Sequence, residues 1–189
     1  KTEIAIRAAF KAVADNKQVA VLVPTTVLAF QHFRTFSERL KDFPCNVDFI
    51  NRFKSSKNTK TTLEGLKNGK VDILIGTHKL IGKDVVFKDL GLLIIDEEQK
   101  FGVDQKEFLV NKYPQIHLFS LSATPIPRTL QMSLLGLKDL SIIGTPPSNR
   151  IAIRTYVQKY EQVSLLTAIK NEISRNGQIF IVVPRISHI

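Results

Sequence analysis

The chain has 189 residues, 43% of them hydrophobic and 23% charged, with a formal net charge of +10. That size and composition suit one sizeable globular core and part of another. No run of about 18 uninterrupted apolar residues is present, which excludes a membrane-spanning helix from the sequence pattern, and charges break up the opening stretch too often for a signal peptide. The one cysteine, Cys45, allows no internal disulfide and fits a reducing, cytoplasmic compartment. His32, His78, His117 and His188 have no ligand-like spacing, so no Cys/His metal cluster is expected. The excess positive charge points to a polyanionic partner such as nucleic acid, although a solvated lysine-rich surface explains it equally well.

The predicted elements alternate along the chain. Residues 1–17 form an amphipathic helix, and "QVAVLVP" (18–24) is a buried strand ended by Pro24. Residues 26–43 read as a helix with Leu28, Phe33, Phe36 and Leu40 on its apolar side. A short strand (46–51) precedes a helix (59–70) that closes on Gly69. "VDILIG" (71–76) and "LGLLIID" (90–96) are continuous apolar strands, followed by a helix (103–112) and a strand (116–123). A helix behind two prolines (126–137) and a strand (139–144) complete this half. Buried strands alternating with helices define an α/β fold, a parallel sheet covered on both faces. "GTPPSN" (144–149) reads as a linker. A strand (150–158), a helix (161–177) and a strand (178–184) then open a second α/β domain. The chain begins at Lys1 rather than methionine and stops behind a strand-like run, as a fragment of a longer protein would.

Three places carry chemistry. The run Leu92–Ile95 delivers Asp96, Glu97 and Glu98 to the carboxyl end of a strand, where parallel sheets bind ligands. A carboxylate there can hold Mg²⁺, and a second beside it can act on water, the arrangement of a Walker B motif; an acidic turn after a strand is the plainer alternative. "KTE" before a helix is what a P-loop leaves once its glycines are removed: Lys1 for the phosphates, Thr2 for Mg²⁺. Ser122, Ala123 and Thr124 follow another buried strand, where the small hydroxyl residues can bond to the acids of the neighbouring strand end and pass a change at the phosphates elsewhere. Thr124 ahead of prolines is also a good helix cap.

In this order "KT", "VPTTVLAFQHF", "GTHKL", "DEEQ" and "SATPIPRT" resemble motifs I, Ia, Ib, II and III of the superfamily 2 helicases, a resemblance covering nearly the whole chain. It implies a RecA-like P-loop NTPase fold, with a first helicase ATP-binding domain over 1–146, truncated within its P-loop, and the start of a second RecA-like domain over 147–189. The strings "NRFKSSK", "DILIGTHKLI", "VVFKDLGLLIIDEEQKFGV" and "ATPIPRTLQMSLLGLKDLSIIGTPPSNR" look closest to the bacterial transcription-repair coupling factors. RecG-like branch-migrating helicases share "GTH", "FGV" and "ATPIPRTL" and are the alternative. A DNA-binding scaffold of the same fold that has lost catalysis is a further one, which the presence of both Asp96 and Glu97 disfavours.

The resemblance implies ATP hydrolysis with Mg²⁺, coupled to translocation along double-stranded DNA. Asp96 and Glu97 become the catalytic pair, Lys1, Thr2 and Gln99 nucleotide contacts, and Thr2 and Asp96 metal ligands. Gln99 stands where many coupling factors have histidine, and an amide can keep the contact network. Ser122, Ala123 and Thr124 become the coupling motif. Pro24, Thr25, Thr26, Gly76, Thr77 and His78 become contacts to one DNA strand, for which hydroxyls and N–H groups at strand-to-helix junctions are suited; helix capping is the alternative for Thr25 and Thr77. Arg52, with Lys54 and Lys57, forms a basic loop that suits phosphate contact or simple solvation. Arg128, a cation opposing a helix dipole, hints at a partner, and Phe101 is expected to pack against a neighbouring segment. By the same resemblance, RNA polymerase and excision-repair proteins are bound through domains outside this chain. An arginine finger comes from the second lobe beyond residue 189, so the 189 residues alone are expected to hydrolyse ATP negligibly.

Overall fold

The computed structural model describes residues 1–123, 139–145 and 153–183. The chain divides into two compact units, Lys1–Ile143 and Gly144–Ile189.

In the first unit, helix α1 (Thr2–Ala14) leads into β1 (Gln18–Leu22), α2 (Thr26–Leu40), β2 (Val47–Ile50), α3 (Ser56–Lys67) and β3 (Ile73–Gly76). A 3₁₀ turn (His78–Ile81), β4 (Leu90–Asp96), a second 3₁₀ turn (Glu98–Lys100), α4 (Val103–Lys112) and β5 (His117–Leu121) follow. The five strands form one sheet in the order β2-β3-β1-β4-β5, and every pairing is parallel. All five carboxyl ends therefore lie along one edge. The chain turns to one side of β1 for β2 and β3, then crosses to the other for β4 and β5, and such a reversal opens a crevice at the carboxyl edge.

The aliphatic runs are continuous because these strands are covered on both faces. Val19, Val21, Leu92 and Ile94 pack under α1 and α2, while Ala20, Leu22, Leu93 and Ile95 pack on the opposite face with Leu66, Leu80 and Leu109. Phe101 is buried in that second layer, as its packing role requires. Gln18, at the start of β1, is a buried polar residue within this apolar packing. Its amide donates to the carbonyls of Leu66 and Val71 and accepts from the N–H groups of Lys88 and Asp89, so every bond lost to water is replaced. The helix expected over 59–70 starts earlier, because Ser55 caps it by accepting from the Asn58 N–H at 3.2 Å. It ends as expected at Gly69, whose φ of +73° lets Lys70 N–H reach the Gly65 carbonyl at 2.8 Å.

The second unit holds α5 (Gln162–Ser174). The strands expected over 139–144, 150–158 and 178–184 do not form within their described residues. Ile142, Ile153, Val157, Phe180 and Val182 are exposed there. A strand exists only by pairing, and no ladder is present for these segments among the described residues. The predicted helix 126–137, Arg128, and most of the linker lie outside the described residues.

Candidate active site

The site begins with β4. Burying Leu92 to Ile95 contributes about 1.5–3 kcal/mol per side chain, which offsets the cost of carrying Asp96 to the sheet edge with only 7% exposure. The next residue breaks the strand. Glu97 takes a left-handed conformation, φ 54° and ψ 50°, which costs a non-glycine residue on the order of 1–2 kcal/mol and points to a functional constraint. The turn folds the Glu97 N–H back onto Asp96 Oδ1 at 3.0 Å and places the two acids side by side.

Lys1, directly ahead of α1, meets them. Its Nζ lies 3.0 Å from Glu97 Oε1 and 3.6 Å from Asp96 Oδ1. The residues expected at the two ends of a nucleotide site, 96 positions apart, therefore converge. On the other side of Glu97, the Gln99 amide donates to Oε2, and the Ser122 hydroxyl donates to Gln99 Oε1 at 3.0 Å. Lys1, Glu97, Gln99 and Ser122 thus form one chain of contacts from α1 across β4 to the end of β5. Ala123 is exposed beside Ser122, and Thr124 lies outside the described residues.

The sequence reading missed His32. The deeply buried positions of α2 are Ala29, His32, Phe36 and Leu40, with Leu28 and Phe33 only half-buried. The helix is therefore turned so that an imidazole faces the core. His32 Nε2 sits 2.9 Å from Asp96 Oδ2, with both residues 7% exposed, and the ring meets Phe36 edge-on. A polar residue at helical spacing within an apolar stripe was the available signal. Burial, the largest single influence, pushes the Asp96 carboxyl upward. The His32 hydrogen bond, the Lys1 and His32 charges and the Glu97 N–H together outweigh it and hold Asp96 below the usual aspartate range. Asp96 is thus a carboxylate at neutral pH, so Nε2 carries the hydrogen in this bond.

These donors fit a hard divalent cation. Asp96 offers an oxygen ionised at neutral pH, Thr2 is half-buried beside Lys1 with a hydroxyl, and the Lys1 ammonium already places positive charge against both acids. Among the described residues no group of three or more His, Cys, Asp or Glu side chains gathers as a complete metal cage. Mg²⁺ suits this, since it takes one or two carboxylates and completes its shell with water and phosphate.

The residues expected at DNA lie along the same edge, on the β2-β3-β1 half. Pro24 is half-buried, and Thr25 is exposed and caps α2 by accepting from Leu28 N–H at 3.2 Å, followed by half-buried Thr26. Arg52 is exposed, with its guanidinium 4.8 Å from the Phe53 ring centre. Gly76 and Thr77 are buried and His78 is exposed. The basic loop is less uniform than its sequence suggests. Lys54 is held by Asp48 at 2.6 Å, Thr62 at 2.7 Å and the Phe49 carbonyl at 3.0 Å, and Lys57 belongs to α3. Among the described residues, Arg52 is the cation of that trio left in the loop and unpaired with an acid.

The parallel sheet with the acid-lysine cluster at its carboxyl edge is the α/β arrangement of the helicase family: residues 1–133 match the DEAD/DEAH box helicase model. The chain belongs to that family, and its first unit has the RecA-like fold. Over its full length it is 54% identical to the transcription-repair-coupling factor of Bacillus subtilis (strain 168), and 98% of it is 57% identical to that of Myxococcus xanthus. It spans 16% of the length of each of these relatives. A solved structure of RecG bound to a three-way DNA junction matches 91% of the chain and 23% of RecG, with 36% identity and a TM-score of 0.69. The helicase MrfA bound to DNA, 13% identical over 71% of this chain and 20% of MrfA with a TM-score of 0.59, shares the fold. No helix among the described residues is long and apolar enough to cross a membrane.

Proposed function

We propose that this chain is the ATP-hydrolysing part of a double-stranded DNA translocase of the transcription-repair coupling type, which displaces stalled RNA polymerase and brings in excision-repair proteins through other domains. One observation carries the reading: Lys1 closes on Asp96 and Glu97, while Gln99 and Ser122 tie the same acid to the next strand end. Residues 1–146 form the first RecA-like domain and 147–189 begin the second. The protein acts in the cytoplasm, where its DNA and polymerase are.

Lys1 binds the β- and γ-phosphates of ATP. Thr2 and Asp96 would hold Mg²⁺, which supplies charge neutralisation at the phosphates. Glu97 orients the attacking water and accepts its proton, and its left-handed backbone and its contact with Gln99 fix the carboxylate for that task. An amide at Gln99 donates to Glu97 and accepts from Ser122, so it can report the state of Glu97 to the segment after β5. Pro24, Thr25, Thr26, Arg52, Gly76, Thr77 and His78 occupy the strand ends that track the DNA backbone, with the exposed ones, Thr25, Arg52 and His78, making side-chain contacts and buried Thr77 shaping the turn.

The relatives' names favour the coupling factor over a RecG-like fork remodeller. A displacement assay on stalled RNA polymerase, run with the full-length protein beside a fork-reversal assay, decides between them. Polymerase displacement with weak fork reversal is expected, and the converse would establish the RecG-like reading.

A further inference from the structure

We infer that His32 is a positioning residue for the Asp96 carboxylate and thereby sets the affinity of the site for a divalent cation, an inference that rests on the nucleotide-site reading above. The two oxygens of Asp96 have different partners. Oδ2 takes the His32 Nε2–H at 2.9 Å, on the buried side under α2. Oδ1 takes the Glu97 N–H at 3.0 Å and faces the Lys1 ammonium at 3.6 Å, on the side where cations gather. A carboxylate left free could rotate about its χ2 torsion, a broad and soft degree of freedom. Together with the Glu97 N–H on Oδ1, the imidazole on Oδ2 removes that freedom and keeps Oδ1 turned toward the Lys1 ammonium.

His32 is itself fixed. Ala29, Phe36 and Leu40 bury the same face of α2, and the Phe36 ring stands at 89° to the imidazole at 6.1 Å. The two partners are 64 residues apart, so the hydrogen bond also ties α2 to the end of β4. A buried donor that orients a metal-binding carboxylate without touching the metal typically changes metal affinity by about 10–100-fold when removed.

The test uses the full-length protein and three substitutions. His32→Gln keeps an N–H the same number of bonds from the backbone as Nε2. His32→Asn is equally polar but too short to reach Oδ2. His32→Leu removes the donor and keeps an apolar side chain in the buried site. Two quantities are read: the Mg²⁺ concentration giving half-maximal ATP turnover, and the binding of a fluorescent ADP analogue with Mg²⁺ and with EDTA. The expected result is a rise of about tenfold or more in the half-maximal Mg²⁺ for His32→Asn and His32→Leu. Nucleotide affinity should weaken in Mg²⁺ alone, and His32→Gln should stay within about threefold of wild type. The Asn and Gln pair decides the matter even if His32→Leu does not fold. Unchanged Mg²⁺ dependence in His32→Asn would overturn the inference, as would equal losses with Mg²⁺ and with EDTA. Absence of Mg²⁺-dependent turnover in the wild type would instead overturn the nucleotide-site reading.

Discussion

Asp96 is the residue on which the site's electrostatics turn. It is 7% exposed, yet its hydrogen bonds and neighbouring charges overcome burial and depress its pKa below 3.8. The sign of the linkage follows. A carboxyl with a lower pKa in the folded than in the unfolded chain adds stability that is fully present above the unfolded value. That contribution is lost as the pH falls below 3.8 and through the folded pKa. Urea unfolding of the wild type and Asp96→Asn at pH 7 and pH 3 checks this. The wild type should lose more stability between the two pH values than the variant does, and equal losses would mean that the pairing with His32 and Lys1 is not formed. Glu97 shows the other side of the same residue-level economy. Its left-handed backbone is unfavourable for a side chain, and the strain persists because Lys1 and Gln99 hold the carboxylate from both sides.

At the scale of elements, the strand ends are built to tight tolerances. Gly76 closes β3 where a Cβ would meet Ile50 Cγ1 at 2.9 Å, Leu80 Cδ1 at 3.0 Å and the Ile50 carbonyl at 3.1 Å. The last of these is backbone and cannot step aside. Gly76→Ala should therefore cost about 1–3 kcal/mol in urea unfolding, the usual range for overpacking. A loss under about 0.5 kcal/mol, the scale of ordinary surface changes, would mean that β2 and the 3₁₀ turn yield easily. Most elements of the first unit were legible in the sequence because both signals there are local. Continuous aliphatic runs mark doubly covered strands, and Gly69 marks the end of α3. The long-range contacts were not legible. His32 lay on α2 with no visible partner, because its partner is set by how the helix rotates against β4. Lys54 looked like one of three equivalent loop cations until Asp48 and Thr62 enclosed it. The described parts of the strands expected over 139–144, 150–158 and 178–184 show no strand for the complementary reason: alternating or apolar patterning supplies a strand's side chains, but its hydrogen bonds must come from a neighbour.

At the scale of the whole molecule, the topology sorts two groups of residues along one sheet edge. Lys1, Asp96, Glu97, Gln99 and Ser122 gather toward β4 and β5, while Thr25, Arg52 and His78 follow β1, β2 and β3. The net charge of +10 suits a polyanionic track, and binding of the full-length protein to double-stranded DNA should weaken steadily with salt. Arg52→Ala should lower the slope of log affinity against log salt by about one, the value for one lost phosphate contact, and an unchanged slope would remove Arg52 from the DNA face. The central claim is that Glu97 takes the proton of the attacking water beside Lys1 and Asp96. The direct measurement is ATP turnover and ATP binding by the full-length protein and its Glu97→Gln variant, each with and without double-stranded DNA. DNA-stimulated turnover in the wild type is expected, with a fall of about 10²–10⁴-fold in Glu97→Gln at near-unchanged ATP affinity. Turnover near the wild-type rate in Glu97→Gln would contradict it.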